Sequence, residues 1–338
     1  MIKFLDMDRR EFLISMLATT ALAPVFLTKN KQLMATGQPA AATIDITFFI
    51  TSDTHYGVGD DEAIPANRKT IDMMNMMPGT PYPVSVGGTV DTPRGVVVTG
   101  DLTEDALAEE WGWFTADYGV NGEGRINYPV YEGWGNHDYH DSRTTVLDGI
   151  ALRNKTRPGL ANVSSNGFHY SWDWDRVHFI QLNDYPGTDE GDPDSWGTPK
   201  DSLLFLKRDL SAAIKNSNRP VVIFFHRALD GWGLTNWSKD EQEAFLQVIT
   251  PYKDNVIAIF GGHGHVALQG TWNGIQYYEA SATQPNTDDN GFTVVKITNE
   301  KIVVTTRHSV DETWGSIFEK TLTLSGIGIY EGQQENQN

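Results

Sequence analysis

The chain has 338 residues, a formal net charge of −18, 39% hydrophobic and 11% aromatic residues and ten Trp, enough apolar material for a sizeable core and so not a disordered chain. Its acidic balance repels nucleic-acid backbones and excludes a DNA or RNA polymer as partner. The absence of Cys excludes disulfides, thiolate metal sites and Cys nucleophiles together.

Residues 1–40 read as an export signal and linker. Asp8-Arg9-Arg10-Glu11-Phe12-Leu13 precedes the apolar run ISMLATTALAPVFL, which is followed by Lys29 and Lys31. This resembles a twin-arginine signal, with Asp8 where Ser or Thr is usual and Ile14 where Lys is common. Cleavage is expected after Ala35 or within 40–42. The twin-arginine export machinery would then be a partner, and the mature protein periplasmic or extracellular. The run is short and broken by Pro24, and no other stretch could span a bilayer, so an integral membrane protein is not expected. Residues 41–325 are expected to form one domain, and 326–338 a polar C-terminal tail.

After the linker, Ile44, Ile46, Phe48 and Ile50 alternate as a half-buried strand that leads into Asp53 and His55. A helix is predicted over 61–77, with Met73, Met74, Met76 and Met77 as core filling. A Pro/Gly-rich loop over 78–94 precedes the run GVVVTGD, which ends in Asp101. The next helix would take Thr103 as its N-cap and put Leu107, Trp111, Phe114 and Tyr118 on one face. PVYEGWGNHD supplies Asn136, His137 and Asp138, and FHYSWDWDR with VHFIQLN reads as a strand pair. The acidic loop 189–194 reads as a solvated segment. A helix over 201–216 buries Leu203, Leu206, Leu210 and Ile214, and PVVIFFH ends in His226. Helix 239–249 then leads to NVIAIFGGHGH, which ends in His263 and His265. From Gly262 onward successive β runs follow, with Asn273-Gly274 as a hairpin turn. The expected fold is α/β: a four-layer α/β/β/α sandwich of two packed mixed β-sheets flanked by helices.

Five blocks bearing His, Asp or Asn therefore each close an apolar strand, and a sheet would gather them at the carboxyl ends of its strands. Carboxylate, imidazole and one neutral amide suit divalent metals. Two such cations about 3.5–4 Å apart repel, so a carboxylate between them is required. His169, His178 and His308 read as sheet residues and His140 as a surface residue. Glu104 fits either support of the site or the carboxylate preference of a helix start. Trp134, Trp232 and Trp237 lie beside these blocks, where packing is the default and an aromatic wall over a substrate the alternative.

In chain order, Asp53/His55, Gly100/Asp101, the Gly-Asn-His-Asp run 135–138, His226 and Gly262/His263/His265 resemble the calcineurin-like metallophosphoesterase superfamily, over residues 44–308. The resemblance implies that Asp53, His55 and His265 hold a first metal, that Asn136, His226 and His263 hold a second, and that Asp101 bridges both. It implies a metal-bridging hydroxide as nucleophile, His137 as general acid on the leaving oxygen, and Asp138 on the other nitrogen of His137. The cofactor would be two divalent ions, with Mn, Fe, Zn, Co and Ni all compatible. Glu104 stands where purple acid phosphatases carry a Tyr ligand, and Gly-Asp-Leu-Thr-Glu replaces the Asp-Arg-Gly context of protein phosphatases. The chain thus looks more like the bacterial phosphodiesterase and phosphatase branch, with a small phosphodiester as expected substrate. The alternatives are a phosphomonoesterase on the same site and a non-catalytic metal-binding protein of the same fold.

Overall fold

Ile46, Phe48 and Ile50 of β1 (Asp45–Thr51) point into one core and Phe49 into another, because successive side chains of a strand alternate faces. The computed structural model describes residues 43–322, apart from 60–61, 140–142, 189–196, 215–216, 218 and 286–289. The export signal, the C-terminal tail, the acidic loop and His140 lie outside the described residues.

After β1 come α1 (Ala63–Met76), β2 (Val96–Val98), α2 (Ala108–Asp117), β3 (Val130–Glu132), α3 (Thr145–Asn154), β4 (Leu160–Val163), β5 (Tyr170–Trp174) and β6 (Val177–Gln181). Then follow α4 (Ser202–Ile214), β7 (Val221–Arg227), α5 (Lys239–Ile249), β8 (Val256–Gly262), β9 (Leu268–Trp272), β10 (Ile275–Glu279), β11 (Gly291–Thr298), β12 (Lys301–His308) and β13 (Trp314–Thr321). One sheet has the order β13-β12-β11-β1-β2-β3, the other β4-β5-β6-β7-β8-β10-β9. The runs β1-β2-β3 and β6-β7-β8-β10 are parallel and the outer pairings antiparallel, so both sheets are mixed.

The sheets face each other across a core that includes Ile46, Phe48, Ile50, Trp172, Phe179, Phe224 and Phe260. Phe48 meets Phe179, Phe224 and Phe260 edge-on, with centroids 5.6, 6.2 and 6.3 Å away, the arrangement that aromatic quadrupoles favour. A second core, with Phe49, Met74, Phe114 and Ile150, lies under α1, α2 and α3. A third, with Leu206, Leu210, Phe225 and Phe245, lies under α4 and α5. Helices thus cover both outer faces, and the expected four-layer sandwich is the observed one. No helix among the described residues is long and apolar enough to cross a membrane.

Some local expectations need correction. The β runs after Gly262 divide between the sheets, β9 and β10 joining the second and β11, β12 and β13 the first. Asn273 and Gly274 do form the β9–β10 turn, with φ of 48° and 80°, as a tight hairpin requires. Met76 is exposed whereas Met73, Met74 and Met77 are buried. α2 starts at Ala108, so Thr103 is not its N-cap; Glu110 instead reaches back to the backbone N–H groups of Asp105 and Leu107. The edge strands β4 and β13, partly exposed, carry no alternating pattern that would mark them in sequence.

Candidate metal centre

The carboxyl ends of β1, β2 and β3 in one sheet meet those of β7 and β8 in the other. Asp53 and His55 follow β1, Asp101 follows β2, Asn136 and His137 follow β3, His226 lies in β7, and His263 and His265 follow β8. The chain turns sharply at three of these ends, those of β1, β2 and β8. Asp53, His55, Asp101, His263 and His265 have φ of 51°, 39°, 49°, 75° and 59°, a left-handed backbone that costs a non-glycine residue on the order of 1 kcal/mol each. Cross-links hold it in place: Asp53 N–H donates to the Gly100 carbonyl (2.9 Å), His55 N–H to the Asp101 carbonyl (3.0 Å), and His263 N–H to Asp53 Oδ2 (3.0 Å). Glycine is needed beside them, since a Cβ at Gly135 would stand 2.3 Å from Asp101 Oδ1, and one at Gly100 2.5 Å from His226 Nδ1.

The side chains converge as two groups that share a carboxylate. Asp53, His55 and His265 present ligand atoms to one another, as do Asp101, His226 and His263, and also His55, Asp101 and His137. Asp53 Oδ1 is 3.2 Å from His265 Nε2 and 3.8 Å from His55 Nε2. Asp101 Oδ2 lies between the groups, 3.6 Å from His55 Nε2 and 3.1 Å from His226 Nε2. The His226 contact lacks hydrogen-bond alignment, which leaves its Nε2 unsatisfied. Asp53 Oδ1, His55 Nε2, Asn136 Oδ1 and His226 Nε2 are all buried without a hydrogen-bond partner among the described residues. Buried polar atoms are almost always satisfied, so the three such atoms of Asp53, His55 and His226 in one cluster of oxygen and imidazole donors fit divalent cations.

Charge in the metal-free protein follows from the same geometry. Burial disfavours a proton on His55, but the Asp53 and Glu104 carboxylates outweigh it and push the ring up to about 10. His226, equally buried, is raised to about 9 by Asp101 and Asp53. Burial, with His226 second, pushes His263 down to about 3. A ligating imidazole must be neutral, so loading at pH 7 has to strip a proton from both His55 and His226, and affinity must fall as pH falls. Titration calorimetry in buffers of different ionisation enthalpy is expected to show at least two protons released per chain on Mn²⁺ loading. A release of none would contradict this.

The structure also shows what orients the rings. His55 Nδ1 lies 2.6 Å from Glu104 Oε2, which places the Nδ1 proton on the carboxylate side and turns Nε2 to the cluster. The Gln284 side-chain amide sits 2.7 Å from His265 Nδ1. His137, partly open to solvent, has Nδ1 2.9 Å from the Glu104 carbonyl oxygen. The expected Asp138 contact to His137 is therefore wrong. Asp138 is buried and accepts from the N–H groups of Gly135, Leu102 and Thr103 (2.9 Å each) and from Thr103 Oγ (2.7 Å). It ties the 135–138 loop to the loop after Asp101, and so does not act on the histidine. Glu104 is the residue whose support role sequence left open, and it is not part of a helix. Gln284 escaped sequence reasoning, because no pattern marks a lone amide 19 residues beyond its histidine.

The remaining candidates separate cleanly. His169 is buried with Nε2 on the Lys200 carbonyl (2.8 Å) and Nδ1 by the Asn183 amide (2.8 Å). His178 sits between Asp173 (2.7 Å) and Asp209 (2.8 Å), and His308 ends β12. Trp134 and Trp237 are buried core residues, whereas Trp232 is exposed and stacks on His263 at 4.1 Å.

A family model described as calcineurin-like phosphoesterase matches residues 46–267. A dimetal phosphatase from Danio rerio superposes with a TM-score of 0.58 at 13% identity, over 82% of this chain and 99% of its own. GAP50, described as the anchor in the inner membrane complex of Plasmodium, gives 0.54 at 13% identity over 82% of this chain and 89% of its own. A purple acid phosphatase from yellow lupin gives 0.53 at 15% identity over 82% of this chain and 54% of its own, so this chain spans about half of that protein. At such identities the likeness is one of fold. No curated protein sequence matches significantly.

Proposed function

The chain belongs to the calcineurin-like phosphoesterase family, and on that premise we propose that this metal-dependent phosphoesterase hydrolyses small phosphodiesters at a dinuclear centre after export from the cytoplasm. Asp53, His55 and His265 would hold one cation, Asn136, His226 and His263 the other, and Asp101 both. The observation that carries this reading is the position of Asp101 Oδ2, 3.6 Å from His55 Nε2 and 3.1 Å from His226 Nε2, facing a histidine of each donor set.

When bound, a cation pair supplies Lewis-acid polarisation of the phosphoryl group, acidifies a water, and offsets the acidic charge that would otherwise repel an anionic ester. The chain's own residues supply the rest. His137, its ring oriented by Nδ1 on the Glu104 carbonyl, would deliver a proton to the leaving oxygen. Asn136 adds a donor without adding charge. Asp138 and Thr103 keep the His137 loop in register with Asp101.

Glu104 in place of a Tyr ligand sets the chain apart from purple acid phosphatases and Gly-Asp-Leu-Thr-Glu sets it apart from protein phosphatases; in the phosphodiesterase and phosphatase branch that remains, a small phosphodiester is the substrate we favour. Export rests on Arg9-Arg10 and the apolar run after them. Turnover of a mono-aryl and a bis-aryl phosphate by protein of defined metal content tests the reading. A kcat/KM for the diester about tenfold or more above the monoester supports it. The reverse order would overturn the diester preference, and turnover of neither would overturn hydrolysis. Export is tested separately: replacing Arg9 and Arg10 by Lys should retain the protein inside the cell, and unchanged secretion would overturn it.

A further inference from the structure

We propose that Trp232 is a specificity-determining residue that stacks on a planar aromatic group carried by the substrate, so that aryl-type phosphoesters are preferred over alkyl ones. The inference rests on the site being the phosphoester site described above. The indole lies 4.1 Å from the His263 ring with only 13° between planes. One face is therefore covered by a residue of the metal cluster, yet Trp232 remains 53% exposed. Its side chain thus keeps about half its surface open beside a histidine of the metal cluster. Among the described residues it is the only aromatic among the exposed large hydrophobic side chains, and Val266, directly after His265, is exposed at 42%.

The loop that carries Trp232 is held firmly. Asp230 accepts from the N–H groups of Trp232 (3.2 Å) and Gly233 (2.6 Å), and Thr235 Oγ donates to the Trp232 carbonyl (2.6 Å). Asn236 Nδ2 lies 3.4 Å from His263 Nε2, and Trp237 anchors the far end in the core with Phe225 and Phe245. An exposed indole that already forms the second layer of a parallel stack, on a loop that need not be ordered on binding, is preorganised to take a third flat ring. Packing explains Trp134 and Trp237, which are buried, and does not explain Trp232.

Calorimetric binding of benzylphosphonate and ethylphosphonate to the Mn²⁺-loaded protein tests this without requiring turnover. The wild type is expected to bind the benzyl compound about tenfold more tightly. Trp232→Ala should bring the benzyl-to-ethyl affinity ratio close to one, and Trp232→Phe should keep most of it. A merely structural role would weaken both phosphonates together and leave the ratio intact, which would overturn the inference. So would a wild type without preference. If neither phosphonate binds the wild type, the proposed function falls as well; if bis-aryl phosphate is hydrolysed but Trp232→Ala keeps the ratio, this inference alone falls.

Discussion

Asp101→Asn is expected to lower kcat by about 10³-fold or more while leaving the fold intact, because metal catalysis contributes several kcal/mol and this carboxylate joins the two halves of the site. Asp101 is buried and its Oδ2 faces both His55 and His226. Its Oδ1 accepts the His137 backbone N–H at 2.9 Å. An amide of the same shape can keep one polar contact but removes the negative charge that screens two cations from each other. Metal content measured by mass spectrometry should therefore fall below two per chain, and thermal melting of the metal-free variant should stay near that of the metal-free wild type. A variant that keeps two cations and normal turnover would contradict the bridging role.

His137→Gln should behave differently. Here kcat is expected to fall by about 10²–10⁴-fold with both cations retained, because the residue serves proton delivery and no ligand is lost. The deficit should shrink as the leaving phenol becomes more acidic, since a good leaving group needs no proton. This dependence separates the two roles: loss of a ligand such as His226 would depress all esters alike and reduce metal content. An equal loss across leaving groups, or a loss of metal, would contradict the general-acid assignment. Asp138 takes no direct part, because its carboxylate is occupied by the N–H groups of Gly135, Leu102 and Thr103.

Much of this was legible in sequence because it depends on periodicity and order. Alternation along β1 and the apolar runs before Asp101, His226 and His263 specify strands with ligand-type residues at their ends. In an α/β fold such ends lie on one edge. What stayed hidden depends on geometry that sequence does not encode locally. The left-handed backbone at Asp53, His55, Asp101, His263 and His265 is held by hydrogen bonds between the loops, and although Asp and His tolerate positive φ better than most residues, nothing local marks these positions out from the chain's other Asp and His. Glu104 looked equally like a helix-start carboxylate until α2 proved to begin at Ala108, which left it beside His55. The role of Asp138 is hidden from sequence because two loops 35 residues apart meet there. The three Trp near the site were indistinguishable by position, and burial alone separates Trp232 from Trp134 and Trp237.

The most direct test is an anomalous difference map from Mn²⁺-soaked crystals of the protein. Two peaks about 3.5–4 Å apart are expected on either side of the Asp101 carboxylate, one against Asp53, His55 and His265 and the other against Asn136, His226 and His263. A single peak, no peak, or two peaks that do not share Asp101 would contradict the account.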